Sequence, residues 1–268
     1  MTKQSAVEVG LLRDEFPYVR FGAGTSRLVV LTGLALDNRP PSPIVARTYS
    51  HGFRRLAAGH TLFIVQRRRG LPAGASMRDI AADYAELLDE LGPVRLMGLS
   101  TGGLVAQQFA LDHPALVERL ILVVTGARLT SRGQDICRRW HKLATAQQWR
   151  RLRGELAAAA IDGAVAQRMA KIFGSLAGRT PSPTEAADFL ITVDADLAHN
   201  TTARLGQLAR PVLVVGGSDD PFFPEPNLRE TAAAIPGSTL RIYPGLGHGL
   251  PKKAGRQLQD DVSAFLAM

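Results

Sequence analysis

The feature that most constrains this 268-residue sequence is an alternation between short apolar runs and longer segments with helical spacing. The apolar runs are rich in β-branched residues and occupy residues 27–31, 61–65, 94–97, 120–124, 211–215 and 239–242. Runs of this kind predict strands that are buried on both faces. Because parallel strands need crossover connections of helical length, the alternation predicts an α/β fold, with a mostly parallel central sheet and helices on both faces.

The clearest helical spacing lies between the second and third predicted strands, at residues 77–91. Its apolar side chains form one stripe, made of Ile80, Tyr84, Leu87, Leu88 and Leu91. Gly92 and Pro93 then end the segment, as expected for a helix terminus. The same spacing predicts helices at residues 102–111 and 254–265.

Two stretches depart from the alternation. Residues 7–21 predict one or two extra strands joined by a turn near Pro17. Residues 129–208 contain only helical patterns, with no convincing strand, before the strand pattern resumes. We therefore expect an α/β core formed by residues 1–128 and 209–268, with residues 129–208 inserted in it as a helical cap or lid.

Composition excludes several functional classes. Hydrophobic residues make up 46% and charged residues 21%, which is typical of a globular protein rather than of a disordered or membrane protein. The net charge of +8 comes largely from scattered arginines, and no nucleic-acid-binding signature accompanies them. We therefore expect no nucleic-acid partner and no membrane span.

Cysteine content and the start of the chain bear on compartment and cofactors. Cys137 is the only cysteine, so neither an intrachain disulfide nor a Cys-x-x-Cys metal site can form. The N-terminal residues lead into charged sequence without an apolar stretch of secretory length. These observations predict a cytoplasmic protein, and no motif predicts a cofactor or a metal ion.

A nucleophile motif follows the third predicted strand directly. Gly98-Leu99-Ser100-Thr101-Gly102 has the pattern G-x-S-x-G, and a predicted helix begins immediately after it. In this strand-turn-helix setting the serine stands on a sharp, strained turn, and side chains two residues before and after it would collide with neighbouring backbone. The motif alone is weak, but its position at the end of a buried strand makes Ser100 a candidate nucleophile.

An acidic and a histidine element follow later, each at the end of a predicted strand. Asp219 and Asp220 follow the strand at 211–215, and His248 lies between glycines just beyond the strand at 239–242. Because sites assemble at the carboxyl ends of parallel strands, Ser100, an aspartate and His248 are expected to meet. A serine hydroxyl needs such a base to attack a carbonyl carbon, and the carboxylate orients the imidazole.

The three motifs in this order, with the helical insertion of residues 129–208 between the first and second, resemble the α/β-hydrolase fold superfamily over residues 7–268. The resemblance implies that Asp220, rather than Asp219, is the acid, since Asp220 matches the family pattern G-x-x-D-x-x-x-P. It also implies that the backbone N–H groups of Leu34 and Thr101 form an oxyanion hole.

The sequence departs from the family in two places. Many relatives have His-Gly where this chain has Thr32-Gly33, and an aspartate opens the next loop where this chain has Gln66 followed by Arg67. Since both expected donors are backbone groups, the oxyanion hole can survive these changes. The residues that hold these two donors in place, however, must differ from those in the relatives.

The resemblance implies a serine hydrolase that cleaves a carboxylic ester of a small molecule through an acyl-enzyme. Acyltransferase, lactonase, thioesterase, perhydrolase and carbon–carbon bond hydrolase activities remain alternatives, because they use the same three groups. A binding protein that lacks catalysis is a further alternative.

Other residues receive structural interpretations. Asp194 and Asp196 are expected to be solvated lid residues, and His60 and His113 to be surface or capping residues. The aromatic residues Phe222, Phe223, Trp140 and Trp149 are expected to divide between core packing and an acyl pocket.

Overall fold

The computed structural model describes residues 6–176 and 178–268, and within them eight strands form one twisted sheet. The strands are β1 Glu8–Leu12, β2 Phe16–Phe21, β3 Ser26–Leu31, β4 His60–Val65, β5 Val94–Leu99, β6 Val117–Val123, β7 Val212–Gly217 and β8 Thr239–Tyr243. Their order in the sheet is β1-β2-β4-β3-β5-β6-β7-β8. Strand β2 is antiparallel to β1 and β4, whereas β3 to β8 are mutually parallel. The expected mostly parallel α/β sheet is confirmed.

The central strands are buried on both faces, as their continuous apolar sequence predicts. In β3, Val29 and Leu31 point into one hydrophobic cluster while Leu28 and Val30 point into the other. Alternate side chains therefore serve opposite faces of the sheet. Helices cover both clusters, so the carboxyl edge of the parallel strands is where polar side chains can gather.

Helices of the core follow the strands in the expected places. They are α1 Pro43–Gly52, α2 Arg54–Ala57, α3 Met77–Ala82, α4 Ala85–Leu91 and α5 Thr101–Asp112, then, after the β6–β7 connection, α10 Glu225–Ala233, α11 Leu250–Lys253 and α12 Gly255–Ala267. The segment predicted as a single helix at 77–91 is instead divided between α3 and α4. At the break, the Tyr84 N–H bonds to the Ala81 carbonyl, and the Tyr84 ring packs on Phe16 with 5.1 Å between ring centroids.

The N-terminal turn differs from the sequence expectation. Pro17 lies within β2, where its carbonyl accepts a hydrogen bond from Gln66 N at 2.9 Å. The turn is formed by Arg13 and Asp14, whose φ angles of 52° and 59° lie in the left-handed region. Aspartate tolerates this region better than most residues, and that preference locates the turn.

Within the described residues, four α-helices lie between β6 and β7. They are α6 Ser131–Thr145, α7 Trp149–Ala159, α8 Ala164–Leu176 and α9 Pro183–Ala198. Helices α7 and α8 approach closely, because a Cβ on Gly174 would lie 2.6 Å from Ala157 Cβ. In the described part of the chain, no helix is both long and apolar enough to cross a bilayer.

Candidate active site

Ser100 stands on a strained turn between β5 and α5. Its φ of 54° is unusual for a residue with a side chain, and its N–H donates to the Val123 carbonyl at 3.0 Å. Gly98 and Gly102 make the turn possible. A Cβ on Gly98 would lie 2.4 Å from the Gly102 carbonyl oxygen, and a Cβ on Gly102 would lie 2.2 Å from the Leu31 carbonyl oxygen. These contacts show why the motif requires glycine on each side.

Asp220 is held in a buried loop after β7. Its Oδ1 accepts hydrogen bonds from the N–H groups of Phe222 at 2.8 Å and Phe223 at 3.2 Å. Its side chain is fully buried, and Oδ2 faces His248. Asp219, by contrast, is exposed and accepts a hydrogen bond from the Ser218 hydroxyl. Of the two adjacent aspartates, only Asp220 bonds to the histidine.

His248 joins the two other candidate side chains. Its Nδ1 lies 2.7 Å from Asp220 Oδ2, and its Nε2 lies 2.9 Å from Ser100 Oγ. The Phe222 ring packs against the imidazole with 4.6 Å between centroids. Both ring nitrogens are therefore engaged, and the imidazole bridges a hydroxyl and a carboxylate that are 120 residues apart in sequence.

The loop that carries His248 is hydrogen-bonded to the connection between α7 and α8. Asp162, in the α7–α8 connection, accepts a hydrogen bond through Oδ1 from Gly249 N at 3.1 Å. A Cβ on Gly249 would lie 2.7 Å from Asp162 N, so the approach requires glycine at this position. The insertion thus contributes to the placement of the imidazole.

Two backbone N–H groups flank Ser100 and have no hydrogen-bond acceptor among residues 6–176 and 178–268. They belong to Thr101, at the first turn of α5, and to Leu34, in the loop after β3. The Leu34 loop lies beside the serine, since a Cβ on Gly33 would be 3.3 Å from Ser100 Cβ. Free donors beside a serine are the groups that an oxyanion needs.

Sequence comparison assigns residues 28–255 to a known protein family, described as the alpha/beta hydrolase family. The chain belongs to this family. This α/β hydrolase is 33% identical over 187 residues to an uncharacterised protein, Rv2715, of Mycobacterium tuberculosis, covering 62% of this chain and 53% of that protein. It is 29% identical over 160 residues to a poly(3-hydroxyalkanoate) depolymerase from Ectopseudomonas oleovorans, covering 59% of this chain and 56% of the depolymerase. The chain therefore spans only about half the length of these curated relatives.

Structural comparison identifies the same fold. The enol-lactonase from Burkholderia xenovorans LB400 superposes with a TM-score of 0.77 at 18% identity, covering 97% of this chain and 100% of the lactonase. At this identity the likeness concerns the fold. Together with the family match, it confirms the expected α/β-hydrolase architecture.

A cavity of about 350 Å³ opens beside Ser100. Its wall is mostly apolar and combines sheet-edge, loop and inserted-helix residues, among them Leu104, Val124, Leu129, Trp140, Leu156, Phe222 and Phe223. Ser100, Thr101, Leu34 and His248 also line it. Trp140 and both phenylalanines thus face the cavity, whereas Trp149 packs against the core outside it.

A buried polar group forms part of the cavity wall. Asp196 of α9 is 3% exposed, and its Oδ2 accepts a hydrogen bond from Thr101 Oγ1 at 2.8 Å. Burial raises the pKa of Asp196 to about 7, against the lowering influence of the Thr101 hydroxyl and of Arg67. Asp196 therefore carries a proton over much of the acidic range. The expectation that Asp196 is solvated is wrong, because α9 turns it toward the core, while Asp194 is exposed.

Sequence reasoning overlooked this polar face of α9. Asp188, Thr192 and Asp196 recur at intervals of four and are all buried. Residues four apart share one face of a helix, so the spacing was a usable signal. His60, at the start of β4, is also buried and is not a surface group: its ring bonds to the Leu56 carbonyl and lies 2.8 Å from Nη1 of Arg95 in β5.

His, Cys, Asp and Glu side chains in residues 6–176 and 178–268 form no group of three that could hold a metal ion. Cys137 is buried in the cavity wall, and burial raises the pKa of its thiol.

Proposed function

We propose that this protein is a serine hydrolase that cleaves a carboxylic ester, or a related acyl bond, through an acyl-enzyme. Ser100 is the nucleophile, His248 the general base and Asp220 its partner. The observation that carries the proposal is the continuous pair of contacts, 2.9 Å from Ser100 Oγ to His248 Nε2 and 2.7 Å from His248 Nδ1 to Asp220 Oδ2. These separations lie within hydrogen-bond reach before any substrate arrives.

The reaction proceeds in two half-reactions. Ser100 Oγ attacks the acyl carbon while His248 Nε2 takes the hydroxyl proton, and the carbonyl electron pair moves onto the oxygen. Collapse of the tetrahedral adduct breaks the acyl–oxygen bond, and His248 gives its proton to the departing alcohol. Water then attacks the acyl-enzyme with His248 as base, which releases the acid and restores the Ser100 hydroxyl. Asp220 keeps the Nδ1 proton in place and stabilises the imidazolium in both halves.

The Leu34 and Thr101 N–H groups serve as the oxyanion hole. Both are free of protein acceptors within the described residues and lie on either side of Ser100 at the cavity wall. Loss of one such donor costs about 2.7–4 kcal/mol of transition-state stabilisation in comparable enzymes. The two groups therefore account for a large share of the expected rate enhancement.

The cavity supports a small to medium, mainly apolar acyl substrate. Its volume of about 350 Å³ lies at the lower end of the range for small-molecule sites. We propose that residues 129–208 act as a cap, because inserted helices supply Trp140 and Leu156 to the cavity wall. Among the relatives, the depolymerase of a polyester and the enol-lactonase support chemistry at acyl–oxygen bonds.

The proposal is tested with p-nitrophenyl esters of graded acyl length, assayed beside lactones, acyl-thioesters and an added acceptor alcohol. We expect hydrolysis of acetyl to hexanoyl esters, with weaker activity on dodecanoyl esters because the cavity is small. Ser100→Ala and His248→Ala should each lower kcat by about 10⁵-fold to 10⁶-fold. Ester hydrolysis that survives Ser100→Ala would refute the mechanism. Acyl transfer to the alcohol in preference to water would change the assignment from hydrolase to acyltransferase.

A further inference from the structure

Arg67 is a buried cation behind the loop that carries Leu34. It follows β4 and is only 2% exposed. Its Nη1 donates to the Gly33 carbonyl at 3.3 Å, and its Nη2 donates to the Ala35 carbonyl at 3.4 Å. Taking a guanidinium out of water costs several kcal/mol unless its donors are used, so these contacts require an explanation.

The explanation follows from the geometry of one peptide group. The Gly33 carbonyl and the Leu34 N–H belong to the same planar trans peptide and point in opposite directions. Gly33 and Leu34 line the cavity, whereas Arg67 lies in the interior outside its wall. When Arg67 holds the Gly33 carbonyl inward, the Leu34 N–H is turned outward, toward the cavity beside Ser100.

The second donor, the Thr101 N–H, is also turned toward the cavity, but here the backbone alone orients it. The Ser100 carbonyl accepts hydrogen bonds from Gly103 N at 2.7 Å and from Leu104 N at 3.3 Å. The Thr101 N–H of that peptide therefore points out of the first turn of α5. Helix α5 fixes one donor, and a side chain is needed to fix the other because the Leu34 loop has no helix to do so.

Arg67 is itself held in place by helix α9. Asp188 accepts hydrogen bonds from Gly70 N at 3.0 Å and from Leu71 N at 2.8 Å, which ties down the loop that begins with Arg67. The carboxyls of Asp188 and Asp196 also attract the guanidinium electrostatically. The inserted α9 thus supports the loop from which Arg67 reaches the Gly33 carbonyl.

We propose that Arg67 is a positioning residue for ester hydrolysis, which holds the Gly33 and Ala35 carbonyls and thereby presents the Leu34 N–H to the oxyanion. This inference rests on the proposed function. It assigns the support of this donor to a side chain that follows β4, where the family pattern has an aspartate. A donor that is needed only when the oxyanion forms contributes to kcat and leaves KM little changed.

The test compares Arg67→Met, Arg67→Lys and the neighbouring control Arg68→Met. Arg68 pairs with Asp83 and Glu15, and none of its hydrogen bonds or ion pairs within the described residues reaches the Leu34 loop. With p-nitrophenyl butyrate, Arg67→Met should lower kcat on the order of 10²-fold with KM changed less than about threefold, because a disordered donor resembles a lost one. A trifluoromethyl ketone, whose adduct carries an oxyanion, should lose affinity by a similar factor. Arg68→Met should leave all three values within about threefold.

Arg67→Lys keeps the test decisive if Arg67→Met fails to fold. Lysine retains the charge but lacks the two-pronged donor geometry, so kcat should fall by about tenfold with KM again unchanged. A kcat equal to the wild type in Arg67→Lys, or a rise in KM at constant kcat in either variant, would overturn the inference. If Ser100→Ala retains esterase activity, the proposed function itself fails. Loss of activity in Ser100→Ala with no kcat effect in the Arg67 variants would refute only the positioning role.

Discussion

The Ser100 turn depends on a glycine whose replacement has a calculable effect. A Cβ introduced at Gly102 would lie 2.2 Å from the Leu31 carbonyl oxygen and 2.6 Å from the Thr32 carbonyl oxygen. Ordinary contacts of this kind begin near 3.4 Å, so the end of β3 and the start of α5 must separate by about 1 Å. In Gly102→Ala the helix gains about 0.5–1 kcal/mol from the alanine. Overpacking against rigid backbone costs about 1–3 kcal/mol, so a net loss of stability is expected.

In Gly102→Ala, kcat should be affected more strongly than the free energy of unfolding. The separation displaces Ser100 and the Leu34 loop, which lie on opposite sides of this contact, and a misplacement of about 1 Å costs about 10²-fold in rate. Gly52→Ala is the matched control, because no atom lies within 4 Å of its added Cβ. Denaturant melts should show a lower free energy of unfolding in Gly102→Ala, and p-nitrophenyl butyrate kinetics should show a lower kcat. Gly52→Ala should change neither the free energy of unfolding nor kcat. Wild-type kcat in Gly102→Ala would refute the steric argument.

The remaining predictions concern other parts of the molecule. Asp220→Asn should lower kcat by about 10⁴-fold because the imidazole loses its charged partner, whereas Asp219→Asn should change kcat less than about threefold; the reverse order would place the acid at 219. Burial lowers the pKa of His199 to about 4 from the unfolded value of 6.5. The unfolded chain therefore binds more protons between these values, and stability falls as the pH drops from 6.5 to 4. Chemical denaturation across this pH range should show that His199→Gln removes up to about 3 kcal/mol of the decrease in unfolding free energy. The same pH dependence of unfolding free energy in His199→Gln and the wild type would contradict this. The buried Cys137 thiol should resist iodoacetamide in the folded protein and react once the chain is unfolded; rapid labelling of the native protein would contradict its burial.

The order of elements could be predicted from sequence because its signals are local. Apolar runs of strand length mark β3 to β8, and each lies within a few residues of its predicted position. The N-terminal turn lies away from its predicted place near Pro17, because this proline is accommodated within β2 and the chain reverses at Arg13 and Asp14, which take the left-handed conformation. Local signals thus identify elements well and assign their boundaries less well.

The residues of the candidate site could likewise be predicted only where their sequence signals are local. Ser100, Asp220 and His248 could be proposed because each follows a strand in a glycine-containing motif, and the structure brings the three together. Arg67 could not be recognised, since its role depends on contacts with a segment more than 30 residues away, whereas the four-residue spacing of polar residues on α9 indicates the burial of Asp196 but not its contact with Thr101. An arginine in a basic cluster is expected to be solvated until the fold shows that its guanidinium bonds to the Gly33 and Ala35 carbonyls.

The central claim is that Ser100 is the nucleophile, activated by His248. Treatment with a fluorophosphonate probe, followed by digestion and peptide mass spectrometry, tests this most directly. We expect one adduct, on the peptide containing Ser100, that is absent in Ser100→Ala and forms far more slowly in His248→Ala. An adduct on another residue, or an active protein that stays unlabelled, would show that Ser100 is not the activated nucleophile.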